Sequence, residues 1–311
     1  MNIKKIGLTA LAGSLVAVAS HAGEMSVAGS ASMGVKNNNG FDGGKSWTMG
    51  NQLTFTGGGE LDNGINVALS FIIDQGDGVT ASTAPFDSHS ITLSSDDLGT
   101  IIYAGEGASN AHSALDTTAA GDIWDNGFTG YTAPLASDAG GKTIRYKLPA
   151  VVDDLAMEVS YNGSAAAVES TTAIGLTYTG VEGLSVSYGS GERGTTTAAS
   201  KGDVTTMKAS YAVGSFTLAA SLNDIDLDSG TDEEQSSFKV SYTVSDNLSI
   251  SYGEETHETT GQSTDEEFDQ ISVSYTTGGM TLSFTQTGAD AVGNDSTDNQ
   301  ERWKLGASFA F

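Results

Sequence analysis

Short runs in which apolar and polar residues alternate fill the chain after its N-terminal segment. The stretch VSYTTGGMTLSF (273–284) holds two of them, separated by a Gly-Gly turn. A period of two residues is typical of a β-strand with one apolar and one polar face. We count sixteen runs and predict sixteen strands. Their apolar members span 25–33, 47–55, 65–71, 91–93, 101–103, 144–148, 155–161, 174–178, 184–188, 207–211, 216–222, 238–242, 248–252, 271–275, 280–284 and 303–311.

The connections between the runs alternate in length, which a soluble β-sandwich does not show so regularly. Short turns lie at 57–64, 95–99, 180–183, 213–215 and 276–279, and long polar loops at 36–46, 75–87, 107–141, 190–203, 223–234, 254–267 and 287–299. Short turns at one end and long loops at the other are typical of transmembrane barrels. An open sheet edge in hydrocarbon would leave backbone groups unpaired, at several kcal/mol each. We therefore predict an all-β fold, a closed antiparallel 16-stranded transmembrane β-barrel.

Tyrosines recur near the ends of the runs. Five of them, each before a short turn, are 32, 33, 31 and 33 residues apart. Amphipathic rings favour the membrane interface, so we predict two aromatic girdles. The simpler explanation is that tyrosine favours strands, which accounts for its presence but not for its position. The lower girdle is assigned Phe55, Tyr146, Tyr178, Tyr211, Tyr242, Tyr275 and Phe311, and the upper girdle Trp47, Phe71, Tyr161, Tyr188, Phe238, Tyr252, Phe284 and Trp303.

The first 22 residues are typical of a secretory signal. Lys4 and Lys5 precede a short apolar stretch, and Ser20-His21-Ala22 offers a cleavage site. A buried N-terminal helix is the alternative. We predict a signal peptide at 1–22, Sec-type export to the periplasm and a barrel domain at 23–311. Cleavage would remove two lysines and leave a net charge of −28 instead of −26.

Charge and composition restrict the function further. The acidic excess argues against nucleic-acid binding, because phosphates would be repelled. The chain has no cysteine, which excludes disulfides and thiol catalysis. Six bases lie within the runs, out of phase with their apolar neighbours, so we expect them to face the barrel interior: Arg145, Lys147, Lys208, Lys239, Arg302 and Lys304. A base facing lipid at the bilayer midplane would cost about 2–4 kcal/mol.

The terminal LGASFAF, the sixteen runs and the long third loop together resemble the general porins of Gram-negative bacteria. The segment GTIIYAGEGASNAHSALD (99–116) is similar to the strand-to-loop transition of that family. The resemblance implies a homotrimer in the outer membrane, in contact with lipid and lipopolysaccharide. It also implies that the barrel-assembly machinery reads the terminal Phe311 and that the third loop folds into the lumen and narrows it.

The resemblance further implies an acidic loop opposite a basic wall at the constriction. The four acidic residues of the loop are Asp116, Asp122, Asp125 and Asp138. Among the six bases, Arg145 and Lys147 are the first candidates for the wall, while Lys208 and Lys239 fit solvated lumenal charges better. The expected function is a general diffusion porin, a passive channel for small hydrophilic solutes and ions through a water-filled barrel. The acidic outer loops favour cations.

Other functions stay open at this point. A non-conducting or substrate-specific barrel would act through its acidic loops as an adhesin, receptor or nutrient channel, and a soluble secreted β-protein is a third option. No catalytic residues are predicted and no enzyme is expected, because the histidines lack a GxSxG or HExxH context. No metal or other cofactor is required. Asp224, Asp226, Asp228 and Gly230 nevertheless have a faint calcium-loop spacing, so Ca²⁺ or Mg²⁺ on the outer loops remains an open expectation.

Overall fold

The computed structural model describes residues 24–37, 44–75, 88–106, 109–112, 115, 117–131, 133–137, 142–163, 169–194 and 201–311. The predicted signal peptide lies outside these residues. Within them, sixteen antiparallel strands each pair with the next along the chain, and the first pairs with the last, which confirms the predicted closed barrel. The strands are β1 Glu24–Asn37, β2 Lys45–Glu60, β3 Asn66–Gln75, β4 Ser88–Ser95, β5 Gly99–Glu106, β6 Thr143–Lys147, β7 Leu155–Asn162, β8 Thr171–Tyr178, β9 Leu184–Arg193, β10 Gly202–Val213, β11 Phe216–Leu227, β12 Glu233–Ser245, β13 Leu248–Thr259, β14 Glu266–Thr277, β15 Met280–Asp290 and β16 Gln300–Ala310.

The barrel closes where β16 meets β1. Their ladder runs from Ser30 opposite Ala310 to Lys36 opposite Lys304. Beyond it, the Gly29 N–H donates to the Phe311 carbonyl over 2.7 Å, and the Phe311 N–H donates back over 3.0 Å. A Cβ on Gly29 would overlap the Phe311 ring, so a larger residue there would displace that ring. The Gly29–Phe311 pair therefore extends the closing ladder by one position.

Away from the loop ends of the strands, the outer surface of the barrel is apolar. In β11, Phe216, Leu218 and Leu222 are 49%, 47% and 40% exposed, while Ala219 and Ser221 point inward. The same alternation exposes large apolar side chains around the barrel. A contiguous apolar surface of this size needs a hydrocarbon or protein partner. Among the described residues, no helix is both long and apolar enough to span a bilayer.

Two of the predicted loops are wrong in extent. Strands β11 and β12 are joined at 228–232, and β13 and β14 at 260–265, so much of the predicted loops at 223–234 and 254–267 is strand. Asp224 and Asp226 point outward there and are exposed, while Ile225 and Leu227 point inward and are buried. The apolar side of the strand is thus reversed at its loop end. A phase reversal breaks the alternation pattern, so these residues resembled a loop.

The register contradicts part of the girdle prediction. Phe55 lies directly opposite Phe71, with stacked rings 4.7 Å apart, so the two residues share one height and their assignment to opposite rims was wrong. Tyr178 lies opposite Val186, only two residues before Tyr188. Two residues span about 7 Å of strand, far less than an apolar band about 25 Å tall.

The same two-residue offset separates two more tyrosine pairs that were assigned to opposite rims, Tyr146 with Tyr161 and Tyr242 with Tyr252. These pairs therefore do not form two rims at the full height of the membrane. Sequence spacing identified tyrosines at strand ends, but strand stagger determines their height. Tyr211, Tyr275, Trp47, Trp303 and Phe311 keep their interfacial role as a prediction.

Candidate functional site

The connection between β5 and β6 contacts the inward-facing side chains of the barrel. We call its described residues, 109–112, 115, 117–131 and 133–137, the third connection. The Ala111 N–H donates to Ser160 Oγ on β7 over 2.9 Å. The Ala119 N–H donates to Ser221 Oγ on β11 and Ser237 Oγ on β12, each over 2.9 Å. The third connection thus follows the inner face from β7 towards β12.

Further contacts extend this path to β16. The Asn126 side-chain amide donates to Gln270 Oε1 on β14 over 3.1 Å. Thr129 exchanges two hydrogen bonds with Gln300 on β16, since its N–H donates to Oε1 over 3.2 Å and its carbonyl accepts from Nε2 over 2.8 Å. The backbone N–H and carbonyl of Thr129, which would otherwise be unpaired in a buried loop, are therefore hydrogen-bonded to the barrel wall.

Glycines on β8 and β9 leave room for the start of the third connection. Gly175 and Gly189 lie opposite each other and face inward. A Cβ on Gly175 would overlap the Ala111 carbonyl oxygen, and one on Gly189 would lie 2.5 Å from the His112 ring. A Cβ on Gly191 would lie 2.7 Å from Ser137. Any larger residue would displace the connection from the wall.

His112 joins the two ends of the third connection to the barrel. Its ring is fully buried, with Nδ1 2.9 Å from Ser137 Oγ and Nε2 2.7 Å from Thr206 Oγ1 on β10. Hydroxyl groups can act as donor or acceptor, so either neutral tautomer satisfies both contacts. The histidine therefore acts as a structural crosslink.

Charged side chains hold the middle of the third connection. The carboxylate of Glu255 on β13 accepts from the Thr118 hydroxyl and, over 3.2 Å, from the Trp124 N–H. Lys208 Nζ donates to the Thr117 carbonyl over 2.9 Å, and Lys239 Nζ donates to the Ala120 carbonyl over 3.3 Å. Lys208 and Lys239 were expected to be solvated lumenal charges, and the structure instead places them against the loop backbone.

Apolar contacts seal the third connection to the wall. Ile123 and Phe128 pack with the inward-facing Phe268, Ala289 and the nearby Val292, and the Phe128 and Phe268 rings lie 5.7 Å apart. A second cluster joins Leu135 to the inward-facing Val204, Ile225 and Leu227. These apolar residues face inward because they meet the connection instead of water.

The predicted basic wall is partly neutralised. Arg145 Nε lies 3.5 Å from Glu158 Oε2, and Lys147 Nζ lies 3.0 Å from Glu158 Oε1. Arg145 also donates to Ser109 Oγ over 2.9 Å. The sequence analysis did not identify Glu158 as part of this wall, although its position between the outward-facing Met157 and Val159 predicts that it faces inward. The hairpin that pairs Lys147 with Glu158 would have revealed the ion pair.

Arg302 and Lys304 line a different part of the inner wall. Together with Lys36 on β1, they border a cavity of about 150 Å³ whose other walls include Asp125 and Gly127. The sequence pattern assigned Lys36 to the predicted loop at 36–46 and did not connect it with β16. The pairing of β1 with β16 brings Lys36 directly opposite Lys304.

Two of the four predicted acidic residues can be placed. Asp116 and Asp138 lie outside the described residues. Asp122 is half-buried, and its Oδ1 accepts from the Thr118 N–H over 2.8 Å. Burial raises the pKa of Asp122, while the hydrogen bonds from Thr118 and the nearby Lys208 partly oppose that shift. Asp125 is exposed at the cavity beside Arg302.

The outer face carries acids at the loop ends of the strands. Asp203, Asp224, Glu234, Asp269 and Asp290 all lie in the outward phase and are exposed. In the described part of the chain, no group of three or more Asp, Glu, His or Cys residues is arranged to hold a metal ion. Asp224 and Asp226 are strand residues, whereas Asp228 and Gly230 lie in the connection at 228–232, so the four residues do not share one loop.

The closed barrel, with its apolar outside and polar inner wall, defines a transmembrane β-barrel. A family profile described as Gram-negative porin matches residues 7–311. The chain therefore belongs to the Gram-negative porin family. It is a protein of the bacterial outer membrane and an outer-membrane porin channel. No curated protein sequence matches the chain.

Solved structures with the same fold include three porin-like barrels. An anion-selective porin from Comamonas acidovorans has a TM-score of 0.73 at 16% identity, with 93% of this chain and 100% of that chain covered. OmpF of Salmonella typhi, in complex with daunomycin, has a TM-score of 0.73 at 12% identity and coverages of 93% and 98%. The trimer form of OmpT, an outer membrane protein of Vibrio cholerae, has a TM-score of 0.68 at 14% identity and coverages of 93% and 100%.

Proposed function

We propose that the protein is a general diffusion porin, a passive channel for small hydrophilic solutes and ions. The observation that carries this proposal is the position of the third connection. Its hydrogen bonds to β7, β11, β12, β14 and β16 come from the inner face, so the loop 107–141 would fold into the lumen and narrow it. A sixteen-stranded barrel is wide enough to keep an aqueous channel beside such a loop.

The inner wall formed by β1 to β4 supports the proposal that many different polar solutes can pass. Besides the inward-facing Lys36, this wall carries half-exposed hydroxyl groups at Ser30, Thr48, Thr54, Ser90 and Thr92. Hydroxyl groups donate and accept without a fixed charge, so they hydrate solutes of either sign. This wall offers no arrangement for covalent chemistry, and we propose a channel without enzymatic activity.

We propose that the channel prefers cations. The precursor carries a net charge of −26, and exposed acids lie at the loop ends of β10 to β15. On the inner wall, Glu158 offsets Arg145 and Lys147, while Lys208 and Lys239 donate to carbonyls of the loop. The bases therefore contribute less attraction for anions than their number suggests.

We further propose a homotrimer that assembles through the outer face of β1 and β2. This face carries no acid in the outward phase of its described side chains, in contrast to β10–β15, and it exposes Met25, Met33, Trp47 and Met49 at 57–83%. A solved relative of the same fold is described as a trimer. Lipid and lipopolysaccharide would contact the remaining outer face, and Phe311 would be the residue that the barrel-assembly machinery reads.

Planar-bilayer recording tests the channel directly. We expect the refolded protein to conduct in steps, with a reversal potential in a potassium chloride gradient that indicates preference for potassium. Replacing residues 118–128 by a short Gly-Ser linker should raise the single-channel conductance, because the narrowing segment is removed. A protein that inserts but passes no ions would instead support the non-conducting alternative, in which the acidic loops act as a receptor or adhesin.

A further inference from the structure

We propose that Arg302, Lys304 and Lys36 form a binding site for a small, doubly charged oxyanion on the inner wall between β1 and β16. The site goes beyond passive diffusion, and it deepens the proposed function because its ligand would enter through the pore. Three positive charges and the single carboxylate of Asp125 border one cavity of about 150 Å³. Their balance leaves two positive charges, which a dianion would neutralise.

The first observation is the environment of Arg302. The residue is 9% exposed, and its Nε has no hydrogen-bond partner among the described residues. The guanidinium carbon lies 5.6 Å from the centre of the Phe128 ring, which covers one side of the charged group. A nearly buried guanidinium nitrogen without a hydrogen-bond partner is costly, whereas a guanidinium paired with an oxyanion gains strong hydrogen bonds.

The second observation is the register of the two lysines. Lys36 and Lys304 lie directly opposite each other on neighbouring strands, both in the inward phase. Like charges in such positions destabilise a sheet. Neither lysine has an ion pair with an acidic side chain in the described residues. An anion between the two ammonium groups would convert this repulsion into attraction.

The remaining lining residues suit an oxyanion. Thr287 lies opposite Arg302 and Thr285 opposite Lys304, so their hydroxyl groups can donate to ligand oxygens. Gly127 faces the guanidinium with φ of +82°, and a Cβ there would lie 3.3 Å from Arg302 Nη1. Glycine therefore keeps the approach to this nitrogen open. Asp125 would select against ligands that place a negative group on its side of the cavity.

Reversal potentials measured while inorganic phosphate is added test the site. In a potassium chloride gradient, phosphate should shift the wild-type reversal potential further towards the potassium potential. The shift should saturate with phosphate concentration, because the bound dianion neutralises the charge of Arg302, Lys304 and Lys36. Lys304→Gln and Lys36→Gln should each raise the half-saturating phosphate concentration about tenfold, equivalent to about 1.4 kcal/mol. Succinate in place of phosphate tells whether paired carboxylates serve as well as a tetrahedral ion. Saturation by either anion supports the site.

Lys45→Gln is the matched control. Lys45 lies on the outer face of β2, with Nζ 5.8 Å from the Trp303 ring centre, so its removal takes one positive charge from the same region but not from the cavity. Its phosphate response should equal that of the wild type. An unsaturable response, or an equal loss in Lys45→Gln and Lys304→Gln, would overturn the proposal.

A thermal measurement separates this site from the channel function. Phosphate should raise the unfolding temperature of the detergent-solubilised protein, since a ligand that binds only the folded state stabilises it. Lys304→Gln should abolish that rise. This variant changes an exposed side chain, so it is informative even if Arg302→Gln fails to fold. A thermal shift without conductance would contradict the channel only, and conductance without a phosphate effect would contradict the site only.

Discussion

Glu158 is the residue on which the charge balance of the inner wall depends most directly. Its two carboxylate oxygens contact different bases, Arg145 over 3.5 Å and Lys147 over 3.0 Å. In a partly hydrated lumen such ion pairs contribute little stability, but they set the local field that a passing ion experiences. One carboxylate between two bases leaves a single uncompensated positive charge.

Glu158→Gln should therefore shift ion selectivity towards anions. The glutamine keeps the size of the side chain and removes the negative charge, so both bases become available to chloride. The measurement is the reversal potential in a potassium chloride gradient, which should move towards the chloride potential. Glu182→Gln, in the exposed short turn at 179–183, removes one negative charge elsewhere and should leave the potential unchanged. Equal shifts in both variants would contradict the assignment.

The sequence predicted which side chains face inward but not what they contact. Phase alone placed Arg145, Lys147 and Lys208 on the polar face, because each interrupts a run of outward apolar residues. Their partners differ, since two of them meet a carboxylate and Lys208 meets a loop carbonyl. The loop carbonyl that Lys208 contacts depends on where the third connection lies inside the barrel, and no local sequence pattern predicts that position.

At the scale of elements, alternation identified the strands wherever one face meets lipid and the other meets polar groups. It failed at the loop ends of β10 to β14, where the outer face is acidic and the inner face packs against the third connection. There Val204, Ile225 and Phe268 point inward and are buried. The reversal could have been recognised only by assuming that a loop lies inside the barrel.

The glycines of β8 and β9 have their effect at this scale, because they form a surface that receives the third connection. Gly189→Leu should displace the segment around His112 and Leu115, since even a Cβ would lie 2.5 Å from the His112 ring. We expect altered single-channel conductance and more frequent current fluctuations, with the barrel still folded. The folded state is checked by the circular dichroism of the β-sheet and by resistance to unfolding in cold detergent.

Ala156→Val is the control for this substitution. Ala156 faces the lumen from β7 and is exposed, so added methyl groups there meet solvent. Its conductance should stay close to that of the wild type. If Gly189→Leu also conducts like the wild type, the glycine surface does not position the third connection.

At the scale of the whole molecule, the distribution of acidic residues makes the stability of the barrel dependent on ionic screening. On the outer face, acidic residues lie directly opposite one another on successive strands. These pairs are Glu192 with Asp203, Asp203 with Asp226, Asp224 with Glu234, Glu234 with Glu258, Glu254 with Asp269 and Glu267 with Asp290. Like charges in such pairs destabilise a sheet, each by about 0.2–1 kcal/mol. The strongly negative barrel therefore depends on screening by its surroundings.

Raising the sodium chloride concentration should stabilise the detergent-solubilised barrel. Screening shortens from about 10 Å at 0.1 M to about 3 Å at 1 M ionic strength, which weakens repulsion between side chains on neighbouring strands. The midpoint of urea unfolding, followed by tryptophan fluorescence, should rise with salt.

The variant Glu254→Gln with Asp269→Asn should be more stable at low salt and should respond less to added salt. Glu60→Gln with Glu182→Gln also removes two charges, but from positions that do not face an acid across the ladder, so it should keep the wild-type salt dependence. Identical salt responses in the two double variants would show that net charge, and not the cross-strand acidic pairs, controls the stability of the barrel.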